Sequence, residues 1–583
     1  MTSSSPAALQ VTPSFIEGCL TLIAIALAFA VPKLGFPFFS RIETAFAKLA
    51  RRRDLAVAVT GLTALLLRLA ILPFCPIPIP FVPDDFSFLL AADTFLHGRL
   101  TNPTPAMWVH FETVHITMVP TYMSMYFPAQ GLLLAAGKLL FGNPWYAVLI
   151  SGALMCAAIC WMLQAWLPPT WAFLGGMIAV LHLGLFSYWV ETYHSAGTIG
   201  ALGGALVLGS LPRLTKTVRM RYGLLMALGL SILALSRPFE GLLLSLPVAV
   251  ALGKWLWFGK NRPTAAVLIR RSALPLLLIV SAVSWLGYYD YRAFGKPTTL
   301  PYTVDRAQYA ASPYFIWQSQ RPTPTYRHEE LRRFYYVAEN DFSLKIHSAL
   351  GFPAQTLLKA MWTFLFYSGV VLLLPLIMVR RVFKDRRIRF LVLCALVLAA
   401  GMFIQIFIIP HYTAAFTSAF YAIGLQAMRH LRLWKPEGKP VGLTLVRLSL
   451  SIIVVMVGLR MNAGPLRLGL TEWPAVYWNF VWYGPDHFGT ERQDVENALE
   501  AQSGKQLVLV RYTSGHYPLE EWVYNSADID NSKVIWAREM DAVNNNELIR
   551  YYKDRHVWLV QPDSKSETLS QYPLSGQLAS GAH

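Results

Sequence analysis

The stretch Arg51–Asp85, RRRDLAVAVTGLTALLLRLAILPFCPIPIPFVPDD, holds the pattern that decides the fold class. Three arginines precede an apolar run over 54–73, and a proline-rich segment then leads to Asp84 and Asp85. An apolar run of about 20 residues is long enough to cross a membrane as a helix. A basic cluster before such a run is typical of a cytoplasmic flank, so we expect the acidic pair to emerge on the opposite side.

The composition of the whole chain is that of a membrane protein. Of its 583 residues, 55% are hydrophobic and 14% are charged, whereas soluble proteins carry about 25% charged residues. The net charge of +17 does not indicate a nucleic-acid partner, because the basic residues lie in short loops between apolar stretches and no nucleic-acid motif accompanies them. Five cysteines are too few for a disulfide framework. No basic residue precedes the first apolar run, so we expect no signal peptide.

The apolar pattern predicts an α-helical polytopic membrane protein with about twelve spanning helices. The predicted spans are roughly 15–32, 54–73, 145–166, 171–189, 197–211, 222–236, 241–258, 272–290, 355–379, 390–409, 411–430 and 445–463. One further apolar stretch, 128–142, is short and carries Lys138. If it crossed the membrane, every later basic loop would lie on the external side, so we predict a helix that lies on the outer surface.

This topology divides the chain into two predicted domains. Residues 1–465 form the transmembrane domain, with external loops at 74–144 and 291–354, and residues 466–583 form a small extracytoplasmic α/β domain. In the second domain three short apolar runs and one helical stretch favour a small parallel sheet. The runs are 506–512, 533–539 and 556–562, the helical stretch is 542–554, and a disordered tail is expected from about 564.

The acidic pair has two explanations from local sequence. Prolines 76, 78, 80 and 83 stiffen the chain before it. Asp84 and Asp85 then open an apolar helix over 86–97, where a carboxylate is favoured by capping and by the helix dipole. The alternative is that the pair does chemistry at the membrane surface, and the two explanations can hold together if one Asp caps while the other reacts.

Two segments of this loop resemble a known family. The acidic pair followed by FSFLLAADTFLHGR (86–99), and then YFPAQGLLLAAGKLLFG (126–142), is similar to the first external loop of the GT-C glycosyltransferases. That family includes protein O-mannosyltransferases and aminoarabinose-transferase-like enzymes. It often shows consecutive prolines where this chain has Phe127–Pro128–Ala129. The resemblance covers roughly residues 54–260.

The resemblance implies a sugar donor linked to a polyprenyl phosphate and transfer with inversion to an acceptor glycan, lipid or protein. A carboxylate of the first loop would act as general base, and the position of Asp84 matches best. Asp85 would be its helper or a metal ligand, so a divalent metal, Mg or Mn, stays open as a cofactor. The expected location is a bacterial-type cytoplasmic (inner) membrane, with the active site and the C-terminus on the extracytoplasmic side and membrane lipids around the helices.

Other polar residues lie at predicted outer helix ends or in the first loop. A leaving phosphate needs a cation, and the candidates for this role are Arg237, His411, Tyr412, Arg99 and Lys138. The candidates for sugar or acceptor contact are Glu191, His194, Glu240, His110, Glu112 and His115. The last three belong to HFETVH, which lacks the i, i+4 histidine spacing of a zinc-protease helix.

Two other functions remain open from the sequence. A transporter or lipid flippase would carry ionisable residues near the membrane midplane, and the predicted helix interiors are nearly free of charge apart from Arg68. A scaffold that presents its C-terminal domain would not need the long 74–144 loop. The collection of polar residues on one face therefore favours glycosyl transfer.

Overall fold

The structure is a computed structural model that describes residues 12–194, 196–463, 466, 468, 489–564 and 569–573. The described residues divide into two compact units. Unit 1 comprises those within 1–77, 145–284 and 349–486. Unit 2 comprises those within 78–144, 285–348 and 487–583, so both predicted external loops contribute to it together with the C-terminal part of the chain.

The described chain is mostly helical. Its α-helices are, in chain order, α1 Pro13–Ala30, α2 Phe36–Arg51, α3 Arg53–Ala70, α4 Pro83–Leu96, α5 Pro128–Phe141, α6 Trp145–Trp166, α7 Pro169–His182, α8 Gly197–Thr217, α9 Met220–Ser236, α10 Pro238–Phe258, α11 Ala265–Phe294, α12 Pro301–Tyr309, α13 Glu329–Arg332, α14 Glu339–Ile346, α15 Gly351–Ser368, α16 Val379–Lys384, α17 Arg389–Ile404, α18 Thr417–Arg432, α19 Val441–Met461, α20 Thr490–Ala501 and α21 Ala542–Tyr551. Short 3₁₀ helices at 371–378 and 410–416 precede α16 and α18, and a π-helical turn at 333–338 joins α13 to α14.

Six described helices are long and apolar enough to cross a membrane: α1, α6, α8, α10, α11 and α19. Helices are also present at the other stretches predicted to span. Among them, α7, α9 and α17 are apolar but shorter, with 10–17 residues each. α5, which the charge pattern predicted to lie on the surface, has 14 residues. At 1.5 Å per residue it is about 21 Å long, less than the hydrocarbon thickness of about 30 Å.

The stretch 355–379 is not the single spanning helix that the sequence predicted. α15 and the following helical segment Val371–Lys384 meet at a bend of 106°, which makes this region a broken span or a re-entrant loop. The bend occurs at Gly369, whose φ of +56° is rarely adopted by other residues. A Cβ placed there would lie 2.6 Å from a carboxylate oxygen of Glu17. The position therefore needs glycine for its backbone conformation and for space.

Glu17 of α1 satisfies the backbone at this break. Its Oε1 accepts the N–H groups of Val370 at 3.1 Å and Val371 at 3.0 Å. Lys359 of α15 has a comparable role, because its Nζ donates to the carbonyl oxygen of Gln405 at 2.7 Å, just after α17 ends. The prediction that Arg68 is the main charge inside the helices was therefore wrong. These buried charges satisfy main-chain groups that irregular helices would otherwise leave unpaired.

Unit 2 contains two sheets. β1 (Ile116–Thr117) pairs antiparallel with β2 (Met123–Ser124). The larger sheet has the order β4–β3–β5–β6. Its strands are β3 Lys505–Val510, β4 Val534–Arg538, β5 Arg555–Val560 and β6 Leu569–Gln571. β3 is parallel to β4 and to β5, whereas β6 is antiparallel to β5.

The C-terminal strands and helix are confirmed where the sequence predicted them. β3, β4 and β5 lie within the three apolar runs, and α21 occupies most of 542–554, capped by the side chain of Asp541. The expectation of disorder from about residue 564 was wrong for residues 569–571, because they form β6. Residues 565–568 and 574–583, on which that expectation also bears, lie outside the described residues.

α4 is the element of unit 2 that carries the acidic pair. Its Phe86 stacks on Tyr524 with ring centroids 4.4 Å apart, and its Phe88 stacks on Tyr126 at 4.3 Å. The helix is apolar nearly all round because it is buried on several sides. Stacking on Phe88 also places the Tyr126 hydroxyl beside the first turn of α4, where Asp84 lies.

Candidate active site

The two adjacent carboxylates have different surroundings. Asp85 is 1% exposed, and its Oδ2 accepts the Phe81 N–H at 3.3 Å, which ties the proline-rich segment to the first turn of α4. The Asp84 side chain is 28% exposed. Asp85 therefore has the environment of a structural cap, whereas solvent or a ligand can reach Asp84.

Asp84 lies beside a hydroxyl and an imidazole ring. The Tyr126 hydroxyl donates to Asp84 Oδ1. His115 Nδ1 lies 3.5 Å from Asp84 Oδ2 and 3.0 Å from the Tyr126 hydroxyl oxygen. Because the single phenolic proton goes to Asp84, the His115 Nδ1 is the donor towards Tyr126. Asp84 Oδ1 thus accepts from Tyr126, and the His115 ring lies beside Oδ2.

The charges around His115 favour its protonated form. Burial of the ring acts to lower its pKa, but the negative charges of Asp84, Asp305 and Glu339 outweigh this and raise the pKa above its ordinary value. The His115 imidazole, beside Asp84, is therefore protonated more readily than a free imidazole. Asp305 is itself fully buried, and burial raises its pKa to about 6, against the opposing effect of His115.

The groups at Asp84 do not fit a divalent metal ion. Mg²⁺ and Mn²⁺ bind oxygen lone pairs, whereas Asp84 here meets an O–H and a protonated ring nitrogen. Asp85, the other carboxylate, is committed to a backbone N–H. Within the described ranges, no group of three His, Cys, Asp or Glu side chains is placed to hold a metal ion.

The three polar residues of HFETVH point to different partners. His110 donates its Nδ1–H to the carbonyl oxygen of Arg538 at 2.9 Å, next to the larger sheet. Glu112 is buried and accepts from the Tyr309 hydroxyl at 3.1 Å. Of the three, only His115 contacts the acidic pair. Burial raises the pKa of the Glu112 carboxyl, partly offset by nearby arginine charge.

A second group of predicted residues comes together in unit 1. Arg237 separates α9 from α10, and its guanidinium carbon lies 4.6 Å from the centre of the Tyr412 ring. The His411 ring centre lies 4.9 Å from that of Tyr412. Arg237 and His411 are both buried. The stretches SRPFEG and PHY, which the charge pattern placed on the same side, therefore meet.

Tyr188 is a member of this group that the sequence reasoning missed. The His411 backbone N–H donates to the Tyr188 hydroxyl oxygen at 2.9 Å, and His411 Nδ1 lies 2.8 Å from the same atom. The ring of His194 lies 6.1 Å from that of Tyr188 and 6.2 Å from that of His411, measured between centroids. Tyr188 precedes VETYHSAG by only two positions, and that closeness was the available signal.

Glu191 has a structural partner. Its carboxylate forms a bidentate ion pair with Arg68 of α3, at 2.6 Å and 3.0 Å, and accepts from the Cys75 thiol at 3.3 Å. Both charged side chains are buried, and the guanidinium lies over the Trp145 ring at 4.7 Å. Arg68, the charged residue that the sequence placed inside a helix, therefore holds the loop that precedes α8 through Glu191.

Three candidates remain: Glu240, Lys138 and Arg99. Glu240, in the first turn of α10, is buried and interacts electrostatically with Arg237. Lys138 is exposed on α5. Arg99 is half-buried just beyond the end of α4. Unit 2 thus brings together Asp84, Asp85 and His115, and unit 1 brings together Arg237, His411, Tyr412 and His194.

Solved structures of two proteins are similar to this chain. ArnT from Cupriavidus metallidurans in the apo state aligns over 87% of this chain and 94% of its own, with 12% identity and a TM-score of 0.48. The same enzyme bound to undecaprenyl phosphate aligns over 87% and 93%, with a TM-score of 0.47.

A solved structure of an archaeal protein is also similar to this chain. The oligosaccharyltransferase AglB from Archaeoglobus fulgidus, in complex with an inhibitory peptide and a dolichol-phosphate, aligns over 87% of this chain and 69% of its own, with 10% identity and a TM-score of 0.37. No protein-family model and no curated protein sequence matches this chain.

Proposed function

We propose that this chain is an integral membrane glycosyltransferase that moves a sugar from a polyprenyl-phosphate donor to an acceptor, with inversion. The proposal includes about twelve spanning helices and a reaction on the extracytoplasmic face of a bacterial-type cytoplasmic membrane. Asp84 is the general base. Arg237, with His411 and Tyr412, binds the donor phosphate.

The difference between Asp84 and Asp85 carries this proposal. A residue that only capped α4 would be buried against the backbone, as Asp85 is. Asp84 is partly exposed and lies against Tyr126 and His115. A general base must be oriented and within reach of the acceptor hydroxyl, and the contacts with Tyr126 and His115 support the proposal because they orient the Asp84 carboxylate.

The reaction balances with one base. The acceptor oxygen forms a bond to the anomeric carbon of the sugar while its proton passes to Asp84. The bond from that carbon to the phosphate oxygen breaks on the opposite face, and its electron pair leaves with the polyprenyl phosphate. Attack from the face opposite the leaving group inverts the anomeric centre. A phosphate is already a good leaving group, so a general acid is not required.

The leaving phosphate needs positive charge as the bond breaks. Arg237 can donate two parallel hydrogen bonds to phosphate oxygens, and the Tyr412 ring supports its guanidinium by a cation–π contact. His411, fixed by Tyr188, is a further donor. His194 and Glu240 are the neighbouring candidates for contact with the sugar or with Arg237.

Transfer in proteoliposomes tests the proposal. The purified chain is reconstituted and given undecaprenyl-phosphate-linked sugars of several kinds, with membrane lipids and glycans as acceptors. We expect one donor to give a product whose anomeric configuration is inverted, as read by NMR, and the Asp84→Asn variant to form none of it. If the wild-type chain instead moves the intact donor across the bilayer without forming product, the flippase alternative is correct.

A further inference from the structure

His115 has an unusual backbone conformation that its surroundings enforce. Its φ is +63°, in a region that residues other than glycine rarely adopt. Its N–H donates to the Tyr335 hydroxyl oxygen at 3.1 Å, and its carbonyl oxygen accepts from Ser87 Oγ at 2.7 Å. Such a conformation persists only where neighbouring groups fix it. The position of the imidazole is therefore set by side chains from two other parts of unit 2.

Tyr335 is fixed in turn by Asp305. The Tyr335 hydroxyl faces both carboxylate oxygens of Asp305 at 3.3 Å, and both side chains are completely buried. Both residues belong to the 291–354 segment, for which the sequence suggested no role. A continuous series of contacts thus runs from Asp305 through Tyr335 and His115 to Asp84.

We infer that His115 is a positioning residue for Asp84. With Tyr126 it takes the places around the carboxylate that a divalent cation would need, and Tyr335 and Asp305 hold it there. The inference rests on the proposed function only where activity is the readout. It gives the 291–354 segment a purpose, which is to fix the group that orients the base.

The charge around the ring is consistent with this role. The titratable groups that face His115 are Asp84 on α4, Asp305 on α12, Glu339 on α14, and the hydroxyls of Tyr126 and Tyr335. Arg306 is the cation on the adjoining position of α12, and it is paired with Glu339 at 2.6 Å. The carboxylates outnumber this single cation, so positive charge on the imidazole is favoured despite its burial.

Removing one buried hydroxyl tests the series of contacts. Tyr335→Phe keeps the ring but deletes the link between His115 and Asp305. Tyr326→Phe is the matched control, because it deletes a hydroxyl that bonds to the Tyr309 carbonyl oxygen in the same aromatic cluster. We expect Tyr335→Phe to lower kcat about tenfold with little change in KM, as is typical of a lost supporting partner. Tyr326→Phe should change neither.

A pH profile separates this role from general loss of folding. Tyr335→Phe should alter the pH dependence of kcat, since it changes the environment of His115, while the amount of folded protein stays constant by size-exclusion chromatography. An equal fall of activity in the Tyr335→Phe and Tyr326→Phe proteins, with unchanged profiles, would overturn the inference.

Two measurements need no activity. In ¹⁵N-histidine NMR spectra of the full chain, the signal lost in His115→Gln identifies His115. We expect it to titrate above 6.5 in the wild-type protein and at a lower pH in Asp84→Asn, which removes the nearest negative charge. In electron paramagnetic resonance titrations with Mn²⁺ alone, we expect no stoichiometric site that depends on Asp84.

The outcomes distinguish the inference from the proposed function. A Mn²⁺ site in the wild-type protein that Asp84→Asn abolishes would overturn the inference, and so would a His115 signal that Asp84→Asn leaves unchanged. If no donor gives product but the NMR and Mn²⁺ results are as expected, the proposed function fails and the placement of His115 on Asp84 stands.

Discussion

His115 Nδ1 lies 3.5 Å from Asp84 Oδ2, although one residue opens a helix and the other stands in the loop before β1. The contact places an imidazole beside Asp84, whereas the neighbouring Asp85 accepts the Phe81 N–H. Two carboxylates that are equivalent in sequence thereby become different in chemistry.

Substitutions at the acidic pair should have unequal effects. Asp84→Asn removes the proposed base, so we expect kcat to fall by about 100- to 10,000-fold. Asp85→Asn keeps an oxygen that can accept the Phe81 N–H, and we expect most of the activity to remain. Steady-state transfer rates of the two variants show which residue is the base. An inactive Asp85→Asn protein together with an active Asp84→Asn protein would assign the base to Asp85.

Loss of Arg237 should weaken binding of the lipid phosphate. A hydrogen bond to a charged group contributes about 1.5–3 kcal/mol, so Arg237→Gln should reduce affinity for undecaprenyl phosphate about 10- to 100-fold. Arg213→Gln is the control, because Arg213 is another unit 1 arginine over an aromatic ring, 4.0 Å from the centre of Trp161. Native mass spectrometry measures both affinities. Equal losses in the two variants would refute a specific phosphate contact.

Removal of either partner of the Arg68–Glu191 ion pair should lower the free energy of unfolding by several kcal/mol. Glu191→Gln leaves a buried guanidinium without its counter-charge, which costs about 3–5 kcal/mol. The double variant Arg68→Met/Glu191→Leu should lose less than the sum of the single changes. The exposed pair of Asp341 and Lys345 serves as control, since breaking such a pair costs about 0–1 kcal/mol. Thermal unfolding in detergent gives the comparison, and a Glu191→Gln protein as stable as Asp341→Asn would contradict it.

His115 should make stability depend on pH in one direction. Its pKa in the folded protein is raised, because the charges of Asp84 and Asp305 outweigh burial. Its contribution is therefore fully present below the unfolded value of about 6.5 and is lost as pH rises through the folded value. We expect the Tm difference between wild type and His115→Gln to be largest near pH 5.5 and to shrink by about pH 9. A difference that grows with pH would show that the folded pKa is lowered instead.

The sequence predicted the features that depend on one residue type or on the local periodicity of apolar residues. Apolar runs predicted the helices, alternating short runs predicted β3 to β5, and the motif around the acidic pair indicated the GT-C resemblance. The sequence failed to predict features that depend on a contact with a residue distant in the chain. The break at Gly369 depends on Glu17, and the amphipathic α2, which was not predicted, is anchored through Glu43 to Arg432 and Arg447.

The sequence by itself determined that this chain is a helical membrane protein with an acidic pair at the start of an apolar helix, because hydrophobicity and capping act over a few neighbouring residues. Only the tertiary structure decided which Asp is open and what holds it. Burial, hydrogen-bond partners and the local electrostatic field depend on Phe81, His115, Tyr126 and Tyr335, and folding alone brings these residues to one helix end.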